Sequence, residues 1–266
     1  MKRAAAVGLL SCLLLALAPF AAQAEAPRLD WRLDGPLLGS GVVLVGVGEL
    51  LLPRLPPPWG ALPAPDIAQV NPLDRAAMLS YSHPLDLTST ILEYGTAAMP
   101  LALVLLAAPI GDALPLGVVY LESVFLALGV KNFVNYLLPR YRPYLYEGGA
   151  PGVDPSEDHR SFPSGHTTFV FAAATAGVTL FSRYAPDSPL FVPFTVASYG
   201  LAAAVGSLRI LSGMHFLTDV LAGAAIGSAF GYLVPVLHDR LVPRRDGGIG
   251  MGLRVDAQGI TLSYSY

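Results

Sequence analysis

Apolar residues fall in long blocks separated by short polar or turn-rich stretches. Six blocks set the outline of the chain after residue 24, at 37–52, 87–110, 114–138, 164–181, 190–207 and 215–237. About 20 apolar residues in a helix cross the hydrocarbon of a bilayer, so the pattern predicts an all-α polytopic membrane bundle of about six helices. The first block is the shortest and carries Glu49, and Pro53 followed by Pro56, Pro57 and Pro58 stops it firmly. Between 54 and 84 the chain is polar and rich in turn signals such as Asn71-Pro72 and His83-Pro84, with Trp59, Met78 and Tyr81 suited to an interfacial layer. After 237 the period changes. Leu253 and Val255, then Ile260, Leu262, Tyr264 and Tyr266, alternate around Asp256-Ala257-Gln258-Gly259, which predicts a short C-terminal β-hairpin within a tail at 238–266.

The first 24 residues have their own pattern. Lys2 and Arg3 precede an apolar run from 4 to 20, and Ala22-Gln23-Ala24 is a small-x-small cleavage site, so residues 1–24 are predicted to be a signal peptide. An uncleaved first helix is the alternative. A lipoprotein site at Leu10-Ser11-Cys12 would leave a very short signal with the apolar run of 13–17 stranded after it.

Composition supports the membrane reading. The chain of 266 residues is 53% hydrophobic and only 13% charged, against about 25% charged in globular domains. Its net charge of −3 and lack of a long basic run exclude a nucleic-acid partner. Cys12 is the single cysteine and lies in the predicted signal peptide, so cleavage would leave no disulfide or thiolate chemistry. Arg183, Arg240, Arg244, Arg245 and Arg254 lie on the side opposite the polar motifs described next. The positive-inside rule keeps these arginines in the cytoplasm and turns the motifs outward. A cleaved signal followed by six full crossings predicts the reverse, and the two agree only if the 37–52 block does not fully cross. The expectation taken is a multi-pass protein of a bacterial inner membrane with its motif face in the periplasm.

Three polar stretches interrupt the blocks: Arg140-Tyr141-Arg142-Pro143, Pro163-Ser164-Gly165-His166, and Arg209 followed by Ser212-Gly213, His215 and Asp219. In the second, Pro163 suits a helix start, Ser164 and Gly165 are small enough for an anion to approach the backbone, and His166 follows within the first turn. A rhomboid-type serine protease would want glycine two residues before its serine, where Phe162 stands. In the third, His215 and Asp219 are i and i+4, which predicts one helical face and a carboxylate that holds one imidazole nitrogen while the other acts as nucleophile. Arg209 can fork onto two phosphate oxygens. Arg140 and Arg142 taken alone would only anchor a span at the interface. Glu93 and Glu122 lie inside predicted spans and are read as pairing within the bundle, and Asp158, His159 and Arg160 as a solvated loop.

Together the three stretches resemble the type 2 phosphatidic acid phosphatase (PAP2) superfamily, related to bacterial acid phosphatases and vanadium haloperoxidases. The family pattern is lysine, six residues, Arg-Pro; then Pro-Ser-Gly-His; then Ser-Arg, five residues, His, three residues, Asp. Residues 163–166 match fully, and Arg142-Pro143, Arg209, His215 and Asp219 match in place. Leu208 stands where the family has serine, and Asn135 where it has lysine. Lys131, one turn before Asn135, and Arg140 are the two candidate replacements. The resemblance implies a PAP2/haloperoxidase-like core spanning 25–237. It implies His215 as nucleophile through a phosphohistidine, Asp219 as its support and His166 as acid and then base. Arg142, Arg209, Ser164, Gly165 and Lys131 would hold the phosphate. It implies no metal and no other cofactor. The substrate would be a lipid phosphate or pyrophosphate of the phosphatidate, phosphatidylglycerophosphate, polyprenyl pyrophosphate or lipid A type, reached from the bilayer. The alternatives are a lipid phosphotransferase, or a non-enzymatic polytopic protein whose basic rim binds anionic lipid.

Overall fold

The computed structural model describes residues 26–242 except 56, 57, 59, 61 and 109, and the backbone of two strands beyond them. The predicted signal segment and Trp59 lie outside the described residues. Seven α-helices occur among those described: α1 (Trp31–Leu50), the short α2 (Pro72–Ala76), α3 (His83–Ala107), α4 (Ile110–Leu137), α5 (Gly165–Tyr184), α6 (Phe191–Leu211) and α7 (Leu217–Leu241). Strands β1 (Gly250–Asp256) and β2 (Gly259–Ser265) pair antiparallel, Val255 opposite Ile260, as the alternation predicted.

The six long helices follow the six apolar blocks, with ends set by local chemistry. Helix α1 begins earlier than the block that predicted it, because Asp30 caps it by accepting from the Arg32 amide. The result is a helix of 20 residues, long enough to cross a bilayer. His83-Pro84 opens α3, with proline in the first turn where its missing N–H costs nothing. Five helical segments, Trp31–Arg54, His83–Leu106, Gly111–Leu137, Phe191–Leu211 and Leu217–Leu241, are long and apolar enough to span a membrane. Many large apolar side chains on them face outward, including Ile91, Tyr94, Val192, Val196 and Leu221. In water such a surface would be an association hazard, and in lipid it is the solvated face.

Helix α5 is the exception, enclosed by the others, with Val170, Ala172, Ala173, Ala174 and Ala176 all buried. Its closest neighbour is α7, whose Gly223, Gly227 and Gly231 recur every fourth residue on one face. A Cβ added at these positions would stand 2.6 Å from the Ser164 carbonyl oxygen, 2.4 Å from that of Thr168 and 2.6 Å from that of Ala172. Only hydrogen side chains allow this approach. The small-residue stripe thus brings two backbones together where apolar burial alone supplies little drive between helices. It also fixes the N-terminal ends of α5 and α7 side by side.

Candidate active site

All three polar stretches reach one end of the bundle, where α4 and α6 finish and α3, α5 and α7 begin. Two loops are stitched together there. Arg140 N donates to His159 O, Ser161 N to Arg140 O and Arg142 N to Asp158 O. Tyr144 Oη donates to Asp158 Oδ1 at 2.7 Å. The segment predicted as a solvated loop is therefore pinned, because its backbone pairs with the segment carrying Arg140 and Arg142.

The turn between α6 and α7 sets the position of His215. Gly213 adopts φ +70, a conformation that favours glycine, and a Cβ there would lie 2.5 Å from the Leu79 carbonyl oxygen. The amides of Met214 and His215 both return to Arg209 O, which ties the arginine to the histidine. Helix α7 begins only at Leu217, after Phe216 at its N-cap. His215 is thus not on the helix with Asp219, as the i, i+4 spacing predicted.

That correction changes the role of the carboxylate. His215 Nδ1 lies 3.8 Å from Asp219 Oδ2, beyond hydrogen-bond range, but 2.8 Å from Ser161 O. A carbonyl only accepts, so Nδ1 carries the proton and Nε2 keeps its lone pair. Arg142 Nη1 donates to that nitrogen at 3.1 Å. Burial, followed by the charges of Arg142 and Arg209, pushes the His215 imidazole well below its ordinary pKa. The neutral, nucleophilic form is the one this environment holds.

Asp219 instead organises the surroundings of His215. Its Oδ2 accepts from Ser161 Oγ at 2.6 Å and from Phe216 N at 2.9 Å, and its Oδ1 from Arg140 Nη1 at 2.6 Å. It caps α7 and holds the residue whose carbonyl fixes the histidine tautomer. Arg140 also donates to Asp74 Oδ2 at 2.7 Å and to Thr218 Oγ1 at 2.8 Å, and lies 4.1 Å over the Phe216 ring. Burial works to raise the Asp74 carboxyl, but the donors on Arg140 and Thr218 outweigh it and hold it below the ordinary value. Arg140 is fully engaged in this scaffold and does not stand in for the family lysine.

Lys131 does approach the second motif. A Cβ on Gly165 would lie 3.1 Å from Lys131 Nζ, so the ammonium sits against the first turn of α5 while donating to Asn132 Oδ1 at 3.0 Å. Asn135 donates to Phe162 O and accepts from Arg160 Nε, both at 3.0 Å, which makes it a spacer for that loop. Ser164 caps α5: its Oγ accepts from Thr167 Oγ1 at 3.0 Å and, more weakly, from Thr167 N at 3.5 Å. Helix geometry leaves the Gly165 and His166 amides without intrahelical acceptors.

Several partners were not legible in the motifs. Glu93 Oε2 lies 2.6 Å from His166 Nε2 and Thr90 Oγ1 lies 3.1 Å from it, which orients the imidazole from α3. Asp86 pairs with Arg209 Nη1, as does Ser89 Oγ at 2.8 Å, while the buried Arg209 Nε has no partner. Glu157 bridges Arg142 and Arg160 at 2.6 and 2.7 Å. Burial tends to raise the Glu157 carboxyl, but Arg142 and Arg160 outweigh it and keep it below the usual glutamate value. Arg160, read from sequence as solvated, is half a buried network at the rim.

The segment that carries these residues is similar to known proteins. The PAP2 superfamily model matches residues 113–243. Lipid A 1-phosphatase of Rhizobium etli is 32% identical over 115 residues, covering 42% of this chain and 45% of that protein. The Porphyromonas gingivalis protein of the same description is 38% identical over 106 residues, covering 40% of this chain and 20% of that protein. The chain thus spans less than half the length of these relatives. A transmembrane PAP2 type phosphatidylglycerolphosphate phosphatase from Bacillus subtilis superposes with TM-score 0.46 at 20% identity, over 79% of this chain and 98% of that one. The matched span runs from α4 through α7, just under half of this multi-pass membrane protein, and contains Lys131, Arg142, Ser164 to His166, Arg209, His215 and Asp219; over that span the chain is similar to the PAP2 superfamily.

Proposed function

We propose that residues 25–237 form a membrane-embedded phosphatase domain that removes phosphate from a lipid phosphate monoester or pyrophosphate. The observation that carries this is the tautomer of His215: Nδ1–H is spent on Ser161 O, and an unprotonated Nε2 accepts from Arg142. Nε2 attacks phosphorus, the bond from phosphorus to the lipid oxygen breaks, and His166 gives that oxygen its proton. A water then attacks the phosphohistidine, losing a proton to His166 and freeing inorganic phosphate and His215. Arg142, Arg209, Lys131 and the amides at the start of α5 offset the charge on the transferring group, the dominant need in phosphoryl transfer. Asp219 acts through Ser161 and Phe216.

A lipid substrate is favoured because the site opens at helix ends within reach of the bilayer. A cleft lined by Leu52, Pro53, Leu55, Asn132, Asn135, Tyr136, Pro139, His159 and Arg160 lies beside the loop that carries Arg160, with apolar residues on one part of its wall and polar residues on the other. The relatives named for lipid A 1-phosphate make that class the first to test. The site is assigned to the periplasmic side of the inner membrane, on the strength of Arg183 and Arg240 at the opposite end of the bundle. A reporter fused after Leu241 is expected to be cytoplasmic, and a periplasmic reporter reverses this assignment.

The deciding experiment is phosphate release by purified full-length protein from lipid A 1-phosphate, phosphatidate and a polyprenyl pyrophosphate, beside His215→Ala. Release should fall by about a thousandfold or more in the variant. Equal release by both proteins sinks the nucleophile assignment. Transfer of phosphate to a second lipid in place of water would recast the enzyme as a phosphotransferase.

A further inference from the structure

Far from the phosphate face, α1, α4 and α7 bring Asp34, Glu122 and His238 together inside the bundle. They are 8%, 0% and 1% exposed. His238 Nε2 lies 2.8 Å from Glu122 Oε2 and 3.1 Å from Asp34 Oδ1, and one ligand atom from each residue falls within 4.8 Å of the other two. All three residues lie within membrane-spanning segments, where ionisable groups are costly and are retained for a purpose.

The cluster lacks donors. One ring N–H faces two carboxylates and can serve only one of them. Both Asp34 oxygens, Glu122 Oε1 and His238 Nδ1 are buried without a hydrogen-bond partner. With the imidazole protonated and both carboxylates ionised, the set still carries one net negative charge in a medium that penalises any. A divalent cation bound to neutral imidazole and both carboxylates leaves no net charge and gives one oxygen of each carboxylate a partner.

We propose that Asp34, Glu122 and His238 form a structural site for a divalent transition-metal cation of the Zn²⁺ class. The ligands are His238 Nε2 and an oxygen from each carboxylate. A nitrogen and two oxygens suit Zn²⁺ or Mn²⁺, whereas Mg²⁺ and Ca²⁺ take oxygen donors. His238 is 19 residues beyond Asp219 on α7, roughly 28 Å along the axis. The ion therefore cannot touch the transferring phosphate. Its work is to clamp α1, which lies outside the segment matched by the family model, onto α4 and α7.

The test uses full-length protein in detergent, stripped with a chelator, then loaded with Zn²⁺, Mn²⁺, Co²⁺ or Mg²⁺ and desalted. About one equivalent of Zn²⁺ per chain should remain, with a rise in Tm of roughly 5 °C, and Co²⁺ should give visible d–d absorption. Mg²⁺ should give neither retention nor a Tm rise. Asp34→Asn and Glu122→Gln should each abolish Zn²⁺ retention, with lipid phosphatase turnover and a monodisperse elution profile reporting that they are folded. Wild-type protein that retains no Zn²⁺ and gives no Co²⁺ spectrum overturns the site. Undiminished retention in the Asp34→Asn variant, or an equal response to Mg²⁺, also overturns it.

Discussion

Helix α7 ends in two polar clusters with opposite deficits. At its N-terminal end, Asp219 receives donors from Arg140, Ser161 and Phe216, and cationic capacity is left over in Lys131 and the unpartnered Nε of Arg209. At its C-terminal end, His238 offers one ring N–H to two carboxylates, and the surplus is of acceptors. A cluster with spare donors awaits an anion, and one with spare acceptors awaits a cation. Both ends are buried and ionisable, so burial alone does not separate a reaction site from a structural one. The sign of what is missing does.

The comparison breaks if variants at the two ends have similar effects on turnover. Arg142→Lys keeps the charge but loses the fork that reaches both His215 and Glu157, so kcat/KM should fall about a hundredfold. Asp34→Asn should change kcat by less than about threefold, as the far cluster touches no reacting atom. Equal losses would erase the distinction between the ends. Glu93→Gln keeps the shape of the His166 contact but removes its charge. A fall in kcat of about tenfold is expected, with a displaced pH–rate profile, and an unmoved profile would make Glu93 purely structural. Lys131→Ala should raise KM about tenfold with little change in kcat, as expected for a uniform phosphate contact. The same measurement on Asn135→Ala separates the ammonium from the spacer.

The smallest effect concerns pH. His215 has a folded pKa well below its ordinary value of 6.5, so below that pH the unfolded chain binds a proton that the native chain refuses. Stability should therefore fall as pH drops below about 6.5, at about 1.4 kcal/mol per unit until the native group also titrates. Asp74, held below 3.8, adds stability above that value, and this part is lost only as pH falls toward its native pKa. Thermal melts of wild type and His215→Gln between pH 7 and 5 should show the first slope in wild type alone.

Much of the helical frame was legible because a membrane span is a local signal: an apolar block and its stops predict a helix without knowledge of its neighbours. The helix start at Leu217 was not, because it depends on Gly213 lying against the Leu79 carbonyl and on Asp219 reaching back to Phe216. The i, i+4 spacing of His215 and Asp219 therefore suggested a pair that the turn keeps apart. Asp74 and Asp86 were missed, and the partner of Glu93, read only as pairing within the bundle, was not named, for another reason. They serve Arg140, Arg209 and His166 across long sequence separations, and no short motif records such a pairing. Glu122 was read as an internal bundle pair and is one, but its meeting with Asp34 and His238 follows from three helix rotations that periodicity does not fix.

The glycine stripe at Gly223, Gly227 and Gly231 has a mechanical consequence. With no side chains between them, α5 and α7 cannot slide or rotate independently, and Ser164 N donates to Asp219 O at 3.0 Å at their shared end. A bilayer thinner or thicker than the protein prefers will tilt these two helices as one body. Strain from mismatch then falls on the outer helices, and the placing of Ser164 against Asp219 is insulated from the thickness of the surrounding membrane.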